Sequence, residues 1–246
     1  MAYLSDPIRV GDVIGETASF IRTEWRTLLA LVAPAVLAGI VYTSGLNLAG
    51  LRDKPEQMFM ADNAVVSTLL TVSTLVVGHW TAATMLAFTL DRRAGRPTGV
   101  GAAWLRGLRL FLPLLAVRIL VYGASWLGLA FFFVPGVMLY TIFYIADAAY
   151  VEERPGLVAS LTRSRELTRG SRWRVFILVL MLFGLLMTIS LLLEAVRPYH
   201  FAIEIVFGVA SNVLLYILSL VLTAMLFRQL RTTREGGAAD EIAAIF

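Results

Sequence analysis

The fold is decided by residues 109–151, RLFLPLLAVRILVYGASWLGLAFFFVPGVMLYTIFYIADAAYV, an almost uninterrupted apolar run. As one helix this run would be about 60 Å long, roughly twice the thickness of the hydrocarbon core of a bilayer. Pro135 and Gly136 lie within it, and both residue types favour a turn over the continuation of a helix. The run therefore predicts two antiparallel membrane spans, about 109–132 and 137–151, joined by a tight hairpin.

Four further apolar runs are long enough to cross a bilayer, which takes about 20 residues. They cover about 27–46, 64–90, 175–195 and 202–227. The composition agrees, because 59% of the residues are hydrophobic and only 15% are charged, against about 25% charged in a typical soluble domain. We expect an all-α, polytopic membrane protein with six transmembrane helices in a single domain, residues 1–231, followed by a short tail, residues 232–246.

The basic residues occupy every second polar segment. Of the 21 Lys and Arg residues, 17 fall in four such segments: Arg9, Arg22 and Arg26; Arg92, Arg93, Arg96, Arg106 and Arg109; Arg154, Arg163, Arg165, Arg169, Arg172 and Arg174; Arg228, Arg231 and Arg234. The alternate loops hold only Arg52, Lys54 and Arg197. Because cytoplasmic loops carry the excess of basic residues, this pattern predicts that both termini lie in the cytoplasm, and we expect a multi-pass protein of a bacterial inner membrane.

Several classes of function are disfavoured. The chain has no cysteine and only two histidines, which argues against thiolate chemistry, a zinc–thiolate site and a Ser-His-Asp triad. Acidic residues interrupt the first 25 residues, so we expect no cleaved signal peptide. Because no basic domain stands apart from the apolar runs, we also expect no nucleic-acid partner. No motif predicts a cofactor, a metal site or a catalytic residue.

Two amphipathic segments are expected to lie along the cytoplasmic membrane surface. In residues 7–25, apolar side chains recur at helical spacing opposite charged ones, with Trp25 at headgroup level and Arg22 and Arg26 beside it. In residues 156–169, a stripe of Leu157, Leu161, Ser164 and Thr168 is predicted, and Gly170 would end the helix. The predicted surface for lipid headgroups or a protein partner continues through Arg163, Arg165, Arg169, Arg172, Trp173 and Arg174. The alternative for both segments is that they are solvated loops whose charges only orient the chain.

Arg118 breaks the pattern because it lies about 12 Å into the third span. An arginine at that depth is costly and needs a partner, and Asp147 could reach it across the hairpin. One hypothesis makes Arg118 an anion ligand and His79, at a similar depth, a proton-linked group on a transport path. The other, which we favour, pairs Arg118 with Asp147 to lock the hairpin, or lets Arg118 extend towards the surface.

A second polar cluster is predicted at the opposite membrane face. Glu194, Arg197, His200 and Glu204 flank the short loop between the fifth and sixth spans. Their spacing matches no common pattern of metal ligands, so helix caps and local ion pairs are the preferred interpretation.

One stretch resembles a known family. It contains Val134-Pro135-Gly136, the acidic pair Glu152-Glu153, Ala159-Ser160-Leu161 and Ser164-x-Glu166-Leu167-Thr168-Arg169-Gly170-x-x-Trp173-Arg174-x-Phe176. This pattern is similar to the membrane domain that precedes some bacterial glycerophosphoryl diester phosphodiesterases, and to the stand-alone YciC-like inner-membrane proteins. Residues 11–17 followed by Trp25-Arg26 similarly resemble the N-terminal surface helix of that family.

The resemblance implies a polytopic membrane module and confers no phosphodiesterase activity. In the fused proteins the catalytic residues belong to a separate soluble barrel, whereas only about 15 residues follow the last predicted span here. We therefore expect a non-catalytic accessory or scaffold protein that contacts membrane lipids, a membrane-protein partner or further copies of itself. The alternative is a small transporter or permease subunit that uses Arg118, His79 and Asp147.

Overall fold

The computed structural model describes residues 8–48, 64–196 and 201–243. Within these ranges the chain is all-helical, as predicted, and contains no strand. The helices are α1 (Val10–Leu48), α2 (Ala64–Arg93), α3 (Val100–Phe131), α4 (Phe133–Phe143), α5 (Ala146–Glu153), α6 (Leu157–Thr168), α7 (Arg172–Val196) and α8 (Phe201–Ala243).

Six of the described segments are long and apolar enough to cross a membrane, which identifies a multi-pass membrane protein. They are Val10–Tyr42, Thr68–Arg93, Val100–Phe131, Val134–Glu153, Arg172–Leu193 and Val206–Glu235. The number of spans and their order along the chain agree with the prediction. The orientation of the termini stays a prediction.

The predicted hairpin joins α3 to α4, but the chain reverses earlier than expected. Phe132 has extended backbone angles and separates the two helices, so Pro135 falls in the first turn of α4, where the missing N–H of proline costs nothing. Gly136 lies against α3: a Cβ on Gly128 would be 2.8 Å from the Cα of Gly136. The two glycines therefore let the backbones of α3 and α4 approach closely.

The fourth span consists of two helices, because α4 ends at Phe143 and α5 begins at Ala146. The carbonyl oxygen of Ile142, in the last turn of α4, accepts hydrogen bonds from the hydroxyls of Ser164, at 2.7 Å, and Thr168, at 3.4 Å. Carbonyls at a helix end lack partners within the helix, and at membrane depth they must find them elsewhere. The two hydroxyls of α6 therefore stabilise the break in the span.

The described part of the predicted surface segment 7–25 belongs to α1, which runs from Val10 to Leu48 without a break. The expectation of two elements, a helix ending near residue 25 and a span beginning at 27, is replaced by one helix about 58 Å long. Val13, Thr17 and Phe20 are buried because this half of α1 packs on α2 and α8. The buried stripe of this half thus covers protein, whereas Ile14 and Trp25 of the predicted apolar face are exposed.

The second predicted segment does form a helix, α6, and it ends where expected. Gly170 has φ +84°, a conformation that side chains disfavour. The buried stripe differs from the predicted one, because it contains Ser160, Ser164, Leu167 and Thr168, whereas Leu157 is exposed. Hydrogen-bonding side chains thus hold α6 on the bundle, and the buried face overlaps the predicted stripe at Ser164 and Thr168.

The core lies towards one end of the bundle. Every residue from 81 to 91 of α2 and from 220 to 227 of α8 is buried. In contrast, most described side chains are exposed in residues 65–76 of α2, 180–192 of α7 and 206–214 of α8. We call the end of the bundle that contains residues 81–91 and 220–227 the basic end, because the arginines described below gather there. The remainder of the bundle is called the far half.

Candidate functional site

An ion pair between Arg118 and Asp147 lies within the membrane-spanning part of the bundle. The Nε atom of Arg118, on α3, donates to Oδ2 of Asp147, on α5, at 2.8 Å. Both side chains are largely shielded, with exposed fractions of 30% and 15%. The prediction that Asp147 reaches Arg118 across the hairpin is confirmed.

Tyrosines surround this pair and continue it as a polar ladder. Tyr122, one turn after Arg118, stacks on Tyr140 of α4 with ring centroids 6.4 Å apart. Tyr140 meets Tyr144 edge to face at 5.9 Å, and the hydroxyl of Tyr144 is 3.3 Å from that of Thr223 on α8. The ladder links three helices through side chains that carry both aromatic and hydrogen-bonding groups.

His79 contacts a different part of α3. Its Nε2 lies 3.1 Å from the carbonyl oxygen of Phe111, two helical turns before Arg118. A carbonyl can only accept, so Nε2 carries the hydrogen of this bond. The structure thus brings Arg118 and Asp147 together, and His79 bonds to the backbone.

The chemistry open to this pair is restricted by its geometry. The carboxylate of Asp147 already compensates the charge of Arg118 through a hydrogen bond from Nε, so the pair as a whole offers no net positive charge to an anionic substrate. Within this pair, Oδ1 of Asp147 is buried without a hydrogen-bond partner. A buried pair of this kind fixes the relative position of two helices more than it adds stability.

The basic end holds a second buried carboxylate, Asp91, which the sequence reasoning missed. It is 3% exposed at the last turn of α2. Arg96 donates to its Oδ1 at 2.7 Å, and Arg106 of α3 makes a short contact with its Oδ2. One aspartate therefore pairs with two arginines and connects the loop between α2 and α3 to both helices.

The acidic pair at the end of α5 extends this network. Glu152 accepts from Arg96 at 2.7 Å. Glu153 accepts two bonds from Arg163 of α6, at 2.7 and 2.9 Å, and lies 3.7 Å from Arg231 of α8. These hydrogen bonds raise the pKa of the Arg96 and Arg163 guanidiniums, so both stay charged throughout the physiological range.

The contacts bring all four basic segments to one end of the bundle. Arg92 lies 3.1 Å from Glu24, and Arg93 donates to the carbonyl of Glu16, so the first two segments meet. Arg96 and Glu152 join the second segment to the third. Arg163 and Glu235 join the third segment to the last. This convergence is what the alternation of the arginines along the sequence predicts.

The predicted headgroup surface divides into two groups. Arg163 is bound to Glu153 and Glu235 and is therefore occupied. The other predicted members make no hydrogen bond or ion pair through their side chains to any described residue, and they are exposed or half-buried: Arg22, Trp25, Arg26, Arg165, Arg169, Arg172, Trp173 and Arg174. Arg26 stacks on the ring of Trp25, and Trp173 stacks on Phe176.

No group of three or more metal-binding side chains occurs in the described ranges. The predicted cluster between the fifth and sixth spans is not among them, because the side chains of Glu194, Arg197, His200 and Glu204 lie outside the described residues. The comparisons with known proteins add no relative: no protein-family model, curated protein or solved structure matches this chain.

Proposed function

We propose that this chain is a non-catalytic module of a bacterial inner membrane that binds anionic lipid headgroups at its cytoplasmic face. On this proposal the arginine-rich end of the bundle faces the cytoplasm. The resemblance to YciC-like membrane domains implies a polytopic membrane module and agrees with the membrane location. The observation that carries the proposal is the division of the arginines at the basic end into a bound group and an exposed one.

The bound arginines account for the fold of this end. Arg96, Arg106 and Arg163 each pair with a carboxylate from another helix or loop. If the arginines only oriented the chain in the membrane, they would not need to form ion pairs between helices. If they only stabilised the fold, none of them would need to be exposed. The exposed group, which includes Arg22, Arg165 and Arg169, is the one that remains available to phosphate oxygens of the membrane surface.

The ion pair inside the bundle supports a scaffold over a transporter. Nε of Arg118 and Oδ2 of Asp147 are 2.8 Å apart, so the two charges compensate each other. A substrate path through them requires one of the two charges to be open to the ligand. His79 is also engaged, with the carbonyl of Phe111.

The lipid role is tested by replacing Arg22, Arg165 and Arg169 together with Gln. The full chain is reconstituted in vesicles of phosphatidylethanolamine and phosphatidylglycerol, and its preference for spin-labelled phosphatidylglycerol is measured by electron paramagnetic resonance. We expect the preference to fall by up to about a hundredfold, because each of the three basic side chains contributes on the order of 1 kcal/mol near an anionic surface. The matched Arg→Lys triple variant retains the charge and should retain most of the preference. An unchanged preference in the Gln variant refutes the proposal.

A transport role is the second candidate, and the unpaired Oδ1 of Asp147 is the observation in its favour. A double variant, Arg118→Leu with Asp147→Leu, separates the two functions. A scaffold role predicts that the double variant folds, whereas Arg118→Leu alone is destabilised by an uncompensated carboxylate. If the double variant folds and still complements a deletion strain, neither residue is a transport ligand. Loss of complementation by a folded double variant favours transport.

A further inference from the structure

A cavity of about 250 Å³ lies at the basic end between α2, α5 and α8. Its apolar walls come from Leu90, Ala94 and Phe227, and its polar walls from Glu152, Arg228, Arg231, Thr232 and Glu235. Arg228, Arg231, Thr232 and Glu235 share one face of α8, at helical spacings of three and four. The volume is slightly below the usual range of small-molecule sites, about 300–1,000 Å³, and exceeds what a few waters fill.

Most charges that line this cavity are already paired. Glu152 accepts from Arg96 at 2.7 Å. Glu235 contacts Arg163 and accepts from Arg231 at 2.8 Å. The two carboxylates therefore do not leave the cavity acidic, and Arg231 is not its free cation.

Arg228 is the exception among the charged groups of the lining. It makes no hydrogen bond or ion pair through its side chain to any described residue, and its Nη1 is buried without a partner. The surrounding charges do not substitute for a hydrogen-bonding partner. Arg93 and Arg231 repel the Arg228 guanidinium, and Glu16 and Glu152 attract it without a hydrogen bond. A half-buried guanidinium normally finds an acceptor, because an unsatisfied donor costs free energy.

A second group on the same face of α8 can contact a ligand. The hydroxyl of Thr232, one turn after Arg228, donates to the carbonyl of Arg228 at 3.0 Å and can donate to a bound anion by rotation. On the other side, the cavity is lined by Ala94, which is exposed and carries only a methyl group. A planar guanidinium with two adjacent donors matches the oxygens of a phosphate better than it matches a single point acceptor.

We propose that this cavity binds a phosphate group, as a small phosphate ester or as the headgroup of an anionic lipid, with Arg228 as its main ligand. Arg228 lies outside the exposed arginine group of the proposed lipid surface. The phosphate site can therefore be tested independently of the proposed lipid surface.

The test is equilibrium dialysis of radiolabelled inorganic phosphate against the full chain in a nonionic detergent. Wild-type protein should bind it saturably, and Arg228→Gln should weaken binding roughly tenfold to a hundredfold, the usual effect of losing a charged hydrogen bond. Arg109→Gln is the matched control, because Arg109 is exposed elsewhere on α3 and its loss should leave binding unchanged. Ala94→Phe places a ring at the wall of the cavity without removing a charge and should also weaken binding. This second variant covers the case in which Arg228→Gln does not fold.

Competition identifies the source of the phosphate. Displacement by dihexanoyl phosphatidic acid at far lower concentration than by phosphate itself assigns a lipid headgroup, and the reverse order assigns a soluble ester. Dihexanoyl phosphatidylcholine, whose phosphate is shielded by the choline, should compete poorly in either case. Absence of saturable binding of both phosphate and phosphatidic acid overturns the proposal, and so does equal binding by wild type, Arg228→Gln and Ala94→Phe.

Discussion

The two ends of α2 and α8 differ in how far their side chains are buried. At the basic end, residues 81–91 and 220–227 are buried on all sides, whereas residues 65–76 and 206–214 of the same helices are mostly exposed. The buried and the exposed stretches are similarly apolar, so hydrophobicity alone does not explain the difference in burial.

The difference lies in the contacts that hold helices together in a membrane. Lipid tails are as apolar as leucine, so helices associate through close packing of small residues and through polar contacts. The basic end has both: Gly107 against Thr84, hydroxyls of α6 on α4, and Asp91 with its two arginines. The described parts of the far half have few such contacts outside the α3–α4 hairpin, so their apolar side chains face lipid.

The largest contrast is expected between Phe88→Ala and Leu69→Ala, both on α2. Phe88 is fully buried at the basic end and Leu69 is 63% exposed in the far half. Loss of the buried ring should lower the free energy of unfolding by about 3–5 kcal/mol, through lost contacts and a cavity, while Leu69→Ala should change it by less than about 0.5 kcal/mol. Unfolding in mixed micelles measures both, and similar losses would remove the distinction between the two ends.

A somewhat smaller effect is expected for Asp91→Asn. The amide fills the same space but carries no charge, so Arg96 and Arg106 lose their shared counterion, at a cost of about 3 kcal/mol. Asp12→Asn is the control, because Asp12 is exposed on α1 and its replacement should leave unfolding unchanged. Equal stability of the two variants would show that the ion cluster does not hold the basic end together.

Gly107→Ala sharpens the role of close packing. A Cβ at this position would lie 1.9 Å from Oγ1 of Thr84 and 2.9 Å from its Cα, so α2 and α3 must separate, at a cost of about 2 kcal/mol. Gly123→Ala, further along α3, meets no atom within 4 Å and should be neutral or slightly stabilising. A thermal unfolding series of the two variants checks the difference, and a stable Gly107→Ala protein contradicts it.

The smallest effect is expected for Ser164→Ala, about 1 kcal/mol, because the Ile142 carbonyl keeps only the longer bond from Thr168. Ser190→Ala is its counterpart in the far half, where the hydroxyl bonds only to the carbonyl of Leu186 in its own helix. Hydrogen exchange at residues 142–146 should rise in Ser164→Ala and stay unchanged in Ser190→Ala. Unchanged exchange in both variants would mean that the hydroxyl is dispensable.

The spans were predictable because run length is a direct requirement of bilayer thickness. The Arg118–Asp147 pair was predictable for a related reason, since a charge at that depth must find a partner on the adjacent helix. Asp91 was missed because a charge at the end of an apolar run is normally taken to mark the membrane boundary. Only the folded bundle shows that α3 and the following loop bury it.

The surface segments were harder to predict, since amphipathic periodicity does not state what covers the apolar stripe. In residues 10–25 a stripe of Val13, Thr17 and Phe20 is buried where α1 packs on α2 and α8, and the helix continues into the span. In α6 the serine and threonine side chains make the contacts that place the helix. These contacts depend on a carbonyl of Ile142 that has no partner within its own helix. The break that exposes this carbonyl, between Phe143 and Ala146, has no proline or glycine to announce it.

The hydrogen bonds from Ser164 and Thr168 to Ile142 have a consequence for biosynthesis. The ribosome makes the fourth span before it makes the two residues that complete the backbone of that span. During synthesis the end of α4 must therefore remain next to water or the translocation machinery until α6 has emerged. Insertion of the fourth span should accordingly be completed late, and nascent chains truncated before Ser164 should leave residues 142–146 accessible to aqueous labelling reagents.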